Sequence, residues 1–414
     1  MRVAYLSPLP PERSGIADYS ALLLPALRER IQVEVVPHGK VRGGGDCDVA
    51  LYHVGNNPEA HGWIVDALRR RPGMVVLHEH VLHHLVAGTT LGRGNAEAYR
   101  TALHRDAGAV GRLLAHGVID GLVPPLWETR PQDFPLCGEV LDHARGLIVH
   151  SATVEAAARE HGYEGPLWRI PHPAWPAPTR ERDPDVPQGR GLVVGCFGNL
   201  NPAKRVPQLL AAFARLRATQ PGATLVLAGA ASPAIGLDDL LARHGLAGSD
   251  AVVRLDYVDE ARLWRLLASV DVCVCLRHPT MGETSGIALR SLSVGCPLVV
   301  SDVGWFSELP GDVAAKVPVD DWEADTLAAV LALLGEDAGL RARMGEAALA
   351  LAHGAHDLAR VAERYVAAIE ELAGNDDVRT RVLHEVAVAA ADVGLDAGGA
   401  EVGELARLLR EVGV

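Results

Sequence analysis

The sequence of 414 residues contains no Cys-x-x-Cys pair. Its six cysteines stand apart, at positions 47, 137, 196, 273, 275 and 296, which argues against a zinc site and a disulfide framework. No apolar run reaches membrane-spanning length. The opening MRVAYLSPLPP lacks the charged-then-apolar layout of a signal peptide and reads as a first buried strand; a soluble, cytoplasmic protein is expected. No Gly-x-Gly-x-x-Gly follows that strand, so the dinucleotide fingerprint is absent, and no period of solenoid length recurs. Positive charge is in deficit: 39 Lys and Arg stand against 52 Asp and Glu, a net of −13. That balance speaks against nucleic-acid binding and against general attraction to anionic lipid, but not against a local pocket for a small anion. His78, His80, His83 and His84 crowd one window, yet no acid follows the His80/His84 pair in the zinc-protease arrangement, and no metal is expected. Asp46-Cys47-Asp48 precedes its strand and reads as a solvated loop.

What is present is an apolar fraction of 49%, ample for two cores in a chain of this length. Strand-like runs (residues 1–6, VEVV, DVALYHV, VVL, RGLIVH) alternate with helical stretches, and the alternation then repeats from residue 191. Two doubly wound parallel sheets of α/β class follow, their carboxyl edges facing across a cleft where ligands of such sheets bind. The Pro- and charge-rich PLWRIPHPAWPAPTRERDPDVPQGRG reads as an interdomain linker, which divides the chain into 1–185, 186–372 and a helical tail, 373–414.

Three strand ends carry chemistry. Residues 273–310, CVCLRHPTMGETSGIALRSLSVGCPLVVSDVGWFSELP, read as a strand end, a loop, and a helix opening near Thr284 that Gly295-Cys296-Pro297 stops. Glu283 and Thr284, Ser285 and Gly286 at that helix start leave backbone N–H groups free for an anion, and Gly286 permits close approach. The strand at 191–197 runs through Gly198 and Asn199 into a helix that opens on Lys204 and Arg205. Cations there oppose the helix dipole, so an anionic ligand would offset the repulsion. His78, Glu79 and His80 end a third strand, where a neutral His78 could donate to a hydroxyl or a phosphate.

The run GETSGIALRSLSVGCPLVVSD resembles the donor-site signature of the retaining glycosyltransferases of family 4, which have the GT-B fold of two Rossmann-like domains. The resemblance extends along nearly the whole chain. It implies an N-terminal acceptor domain, a C-terminal nucleotide-sugar domain, and a late helix, HDLARVAERYVAAIEELAG, that crosses back to the first domain. It implies transfer of a sugar from a nucleotide-diphosphate sugar to an acceptor hydroxyl with retention, without metal or resident cofactor. The acceptor would be a carbohydrate, a lipid-linked molecule or a small molecule. Glu283, Lys204 and His78 take the catalytic places. Gly15, Gly198, Asn199, Arg205, Tyr257, Thr284, Ser285, Gly286 and Arg290 take donor places, and Asn56 and His80 acceptor places. The sequence departs from the family twice. Where the family has a second glutamate stand Ser291 or Arg290, and where it has a diphosphate-binding Arg stands Asn199, with Arg205 as the substitute. These departures keep a non-catalytic sugar-nucleotide-binding subunit in view, beside an epimerase or phosphorylase on the same fold. Arg69-Arg70-Arg71 offers a basic patch to a membrane, although a solvated helix end is favoured by the net charge.

Overall fold

The computed structural model describes residues 1–12, 14–38, 47–395 and 399–411. The first sheet holds β1 (Arg2–Leu6), β2 (Gln32–Val35), β3 (Val49–Val54), β4 (Gly73–Leu77), β5 (Ala144–Val149) and β6 (Leu167–Arg169), all parallel, in the order β2-β1-β3-β4-β5-β6. The second holds β7 (Val193–Phe197), β8 (Thr224–Ala228), β9 (Val252–Leu255), β10 (Val272–Cys275), β11 (Leu298–Ser301) and β12 (Ala314–Val317), in the order β12-β11-β10-β7-β8-β9. Helices cover both faces of each sheet, so central strands such as VALYHV and GMVVL are buried throughout and read as continuous apolar runs. Short side chains start the helices. Ser14 accepts from Ala17 N (3.0 Å), Asn57 from Glu59 N (2.9 Å), Ser151 from Val154 N (3.2 Å) and Ser285 from Ala288 N (3.3 Å).

Three parts of the sequence reading are amended. The proline-rich connector is not irregular throughout: Leu167–Arg169 adds β6 to the first sheet, and Ala174, Trp175 and Val186 are buried within the second core. A strand between prolines is too short to show periodicity. β12 escaped because AAKV lacks the β-branched pattern of its neighbours. Cys47 is buried, so the loop is not solvated throughout; Asp48 is exposed as expected, although its carboxylate accepts from the Arg2 N–H (2.8 Å), and Asp46 lies outside the described residues.

The two halves are joined twice at the back. The helix Leu358–Asp392 crosses to the first sheet, burying Val361, Tyr365, Ile369 and Leu372 against Tyr5, Tyr19 and Leu23, with the Tyr19 and Tyr365 hydroxyls 2.5 Å apart. Ahead of it, His356 Nδ1 lies 2.7 Å from His172 O, and Ala174 N donates to His356 O (2.8 Å), tying the connector to the crossover. At the front, the Glu308 carboxylate accepts from Ala152 N (2.9 Å), Thr153 N (2.8 Å) and Thr153 Oγ1 (2.8 Å). No helix among the described residues is long and apolar enough to cross a membrane.

Candidate active site

Each sheet order reverses direction once, at β1/β3 in the first and at β7/β10 in the second. Neighbouring strands there send their following chain to opposite faces, which opens a crevice at the carboxyl edge. The two crevices face each other. Between them lies a cavity of about 630 Å³, lined from the first half by Ser14, Gly15 and Asp18 and from the second by Gly198, Asn199, Lys204, Tyr257, Arg277 and residues 283–287. A chamber of about 250 Å³ continues from it along the carboxyl edge of the first sheet, sharing Gly15, Glu283, Thr284, Gly286 and Arg290 and adding His61, His78, Glu79, His150, His172 and Trp175.

The second half presents positive charge and free N–H groups. Lys204 ends the short turn Pro202–Lys204 and bends back over β7, where Nζ donates to Phe197 O. Gly198 makes this possible. Its φ is +81°, and a Cβ there would meet Lys204 Nζ at 2.8 Å. Burial holds the lysine pKa below its ordinary value. Beside it the helix Gly286–Val294 points its N-terminus into the cavity, where its first N–H groups have no partner within the helix. Glu283 precedes this helix, and its Oε2 accepts from Met281 N (2.7 Å) and Thr280 Oγ1 (3.0 Å). Arg290 lies 3.8 Å over the Trp175 ring and pairs with Glu260 (3.0 Å) and Asp18 (3.6 Å), so it joins the halves while lining both spaces. Ser291, by contrast, is fully buried and donates to Ile287 O (2.9 Å).

The first half presents lone pairs. His61 Nδ1 lies 3.1 Å from His53 O, His150 Nδ1 2.8 Å from Ile170 O, and His172 Nδ1 2.8 Å from Pro173 O. A carbonyl only accepts, so each Nδ1 carries the proton and each Nε2 is a bare acceptor. His150 Nε2 is buried and has no partner among the described residues. Burial, first among the causes, keeps these rings neutral: His61 and His150 are pushed down to about 4, and His78 and His172 well below the usual value. His78 Nε2 sits 3.0 Å from His53 Nδ1. Burial, and then the Glu283 charge, pushes Glu79 up to about 8, so this carboxyl carries its proton at neutral pH.

The structure therefore gathers Glu283, Lys204, His78, Gly15, Gly198, Asn199, Tyr257, Thr284, Ser285, Gly286 and Arg290 around one connected space. Three expected residues lie elsewhere. Arg205, left-handed at φ +54°, caps the helix Val206–Thr219 and turns its guanidinium to the buried carboxylate of Glu323 (Nε to Oε2, 2.9 Å), away from the cavity. It cannot stand in for the arginine that Asn199 replaces. Asn56 Oδ1 accepts from Leu85 N (3.0 Å), and its neighbour Asn57 lines the chamber instead. His80 lies outside both spaces at the contact between the halves: its N–H donates to Met281 O (3.0 Å), and a Cβ on Gly282 would meet its Nδ1 at 2.3 Å. From sequence, Glu79 is placed at a strand end but given no role, and Arg277, His61, His150 and His172 are passed over. For Arg277, Glu79 and His150 the signal was available, since each stands one or two residues beyond a strand end. Among the described residues no group of His, Cys, Asp and Glu is arranged to hold a metal ion.

Known proteins resemble this chain in sequence over part of its length and in fold over most of it. A segment of 112 residues is 34% identical to glycogen synthase of Mycobacterium tuberculosis, covering 27% of this chain and 26% of that protein. Another, of 145 residues, is 36% identical to phosphatidyl-myo-inositol mannosyltransferase of Mycolicibacterium smegmatis, covering 34% of this chain and 35% of that one. The matched segments thus span only about a quarter to a third of these relatives. Over the whole fold, the crystal structure of Anabaena Alr3699/HepE in complex with UDP superposes with a TM-score of 0.63 at 17% identity, covering 90% of this chain and all of that one. The chain has the GT-B fold, and its residues 191–336, the stretch that carries Lys204, Arg277 and Glu283, match the family of Glycosyl transferases group 1.

Proposed function

We propose that this protein is a glycosyltransferase that moves a sugar from a nucleoside diphosphate sugar to an acceptor hydroxyl, with retention at the anomeric carbon and without a metal. The observation that carries the reading is the meeting of Lys204 Nζ with the N-terminus of the helix Gly286–Val294 at the β7/β10 crevice. Both favour an anion, and a diphosphate leaving group develops negative charge as the glycosidic bond breaks. Lys204 and the N–H groups would stabilise that charge, which is the task a divalent cation performs elsewhere. Glu283, fixed by two hydrogen bonds, would contact the departing sugar. The acceptor would enter over the histidine chamber, whose Nε2 lone pairs receive hydroxyl protons and offer nothing to a phosphate. The acceptor oxygen bonds to the anomeric carbon as the carbon–phosphate oxygen bond breaks, and its proton passes to the departing phosphate on the same face.

On this reading residues 1–185 form the acceptor half and 186–372 the donor half. His78 touches the sugar, Asn199 and Tyr257 border the nucleotide, and the work is cytoplasmic, with a carbohydrate, lipid-linked or small-molecule acceptor. The relatives act on glycogen and on a phosphatidylinositol by their names, and the UDP bound to HepE makes a uridine nucleotide the first donor to test. The test is a thermal shift against UDP, GDP and ADP and their glucose and mannose conjugates, repeated with chelator. A rise in melting temperature with one nucleotide series, unchanged by chelator and lost in Lys204→Ala, is expected. No rise with any member would remove the donor assignment. With an acceptor in hand, NMR of the product's anomeric proton checks retention.

A further inference from the structure

Arg277 has no task in the mechanism above, yet it occupies a strategic place. It follows β10, the strand beside β7 at the crevice, and its backbone N–H is held by Ser301 Oγ (2.9 Å) at the end of β11. Its side chain is four-fifths buried and lines the larger cavity with Lys204. Among the described residues its one carboxylate partner is Glu283, whose Oε1 lies 3.0 Å from Nε but out of line, so that Nε is buried without a hydrogen bond. The dependence runs one way. Glu283 is fixed through its other oxygen by Met281 N and Thr280 Oγ1 and would keep its position without Arg277, whereas Arg277 has only the misaligned Oε1. Two cations also share one partly buried wall, and the Arg277 charge is among the causes that lower the Lys204 pKa. An anion that bridged both would relieve their repulsion, and a diphosphate has oxygens enough to take the guanidinium fork and the ammonium together.

We propose that Arg277, held here beside Glu283, is a second diphosphate ligand, which transfers to the donor's phosphates and by leaving frees Glu283 Oε1 for the sugar. The inference rests on the donor reading above and supplies the cation that Asn199 and Arg205 do not. It couples two events in one site: arrival of the diphosphate makes the Glu283 oxygen available, so the carboxylate is presented when a donor is present.

Two substitutions with opposite expected signs test it, with inorganic pyrophosphate and the nucleoside diphosphate that binds the wild type as calorimetric probes. Arg277→Ala is expected to weaken both at least tenfold while leaving the nucleoside monophosphate less affected, and Arg277→Lys, which keeps charge without the fork, to lie between. Glu283→Gln releases the parked guanidinium and is expected to tighten pyrophosphate several-fold while abolishing transfer. Circular dichroism and melting of each variant keep misfolding apart from lost contact. Unchanged affinity in folded Arg277→Ala overturns the proposal and leaves the donor reading standing, as does weaker pyrophosphate binding in Glu283→Gln. Failure of the wild type to bind any nucleoside diphosphate overturns the donor reading and this inference together.

Discussion

Across the cleft, β4 and β5 end in His78 and His150, while β7 and β10 lead into Lys204 and Arg277. Both walls are made from the same strand–turn–helix unit, repeated in two parallel sheets of six. The first wall is neutral and rich in acceptors because its rings are buried and their Nδ1 protons already serve backbone carbonyls. The second is cationic and rich in donors because a glycine lets a lysine fold back over its own strand and a helix begins beside it. The fold fixes where the walls stand, and the residue after each strand decides what they bind. A ligand spanning the cleft should then be anionic at one end and hydroxylated at the other.

The widest separation between the walls is expected under acid. His61 and His150 titrate near 4 when folded and near the ordinary 6.5 when unfolded, so the unfolded chain binds protons that the native state refuses. Their stabilisation is complete above pH 6.5 and is lost as pH falls toward 4, about 3 kcal/mol for each ring. His53, His78 and His172 shift in the same direction. Glu79 runs oppositely: its folded pKa is about 8, so it destabilises the fold progressively as pH rises from about 4.5 to 8, and with one group against five it does not offset the acid limb. Hydrogen exchange at pH 4.5 should show β3, β4 and β5 losing protection before β7, β8 and β10. Equal protection of the two sheets down to pH 4 would dissolve the distinction.

On the cationic wall, Lys204→Ala should lower transfer 100- to 1000-fold, the range for losing one preorganised stabiliser of developing charge. The same variant at pH 6 should melt within a few degrees of the wild type, since only the Phe197 carbonyl is left without its partner, at about 1 kcal/mol. A rate within tenfold of normal would leave the second wall without its principal cation. Arg205, the adjacent cation, provides the contrast. Arg205→Met strands the carboxylate of Glu323, which is 1% exposed, and should lower stability by about 3 kcal/mol with donor affinity within twofold of wild type. A tenfold loss of donor affinity at unchanged stability would return Arg205 to the site.

This contrast also marks how far the sequence could be read. The buried parallel strands announce themselves as apolar runs, and Lys204, Glu283 and Gly286 stand in a strand–loop–helix pattern that local chemistry explains. Lys204 and Arg205 are indistinguishable in that pattern. Their fates diverge because residue 205 adopts a left-handed conformation and Glu323, 118 positions later, comes to lie beneath it. Arg277 was hidden by a different cause. Its nearness to Lys204 depends on β10 pairing with β7, a contact between strands some eighty residues apart. The histidine chamber is the extreme case, drawn from a helix and from three strand ends, one of them in a connector that carries no strand-like pattern.

The smallest expected effect tests the neutral wall directly. His150→Phe keeps a planar ring of similar bulk but removes the Nε2 acceptor that faces the chamber, together with the Nδ1 proton held by Ile170 O. The orphaned carbonyl should cost about 1 kcal/mol of stability. Loss of the acceptor should raise the KM for a neutral hydroxylated acceptor about tenfold, the usual worth of one hydrogen bond to a buried polar site. The nucleoside diphosphate affinity should not change, since Ile170 and His150 lie on the opposite wall. The control is charge: phosphomonoesters of the same acceptors should be poorer substrates of the wild type, because the lone pairs of His61, His150 and His172 face an anion there while the Arg290 guanidinium in the lining is already paired with Glu260 and Asp18. If the phosphomonoester is the better substrate, or if His150→Phe weakens the nucleotide and spares the acceptor, the two walls have been assigned to the wrong ends of the ligand.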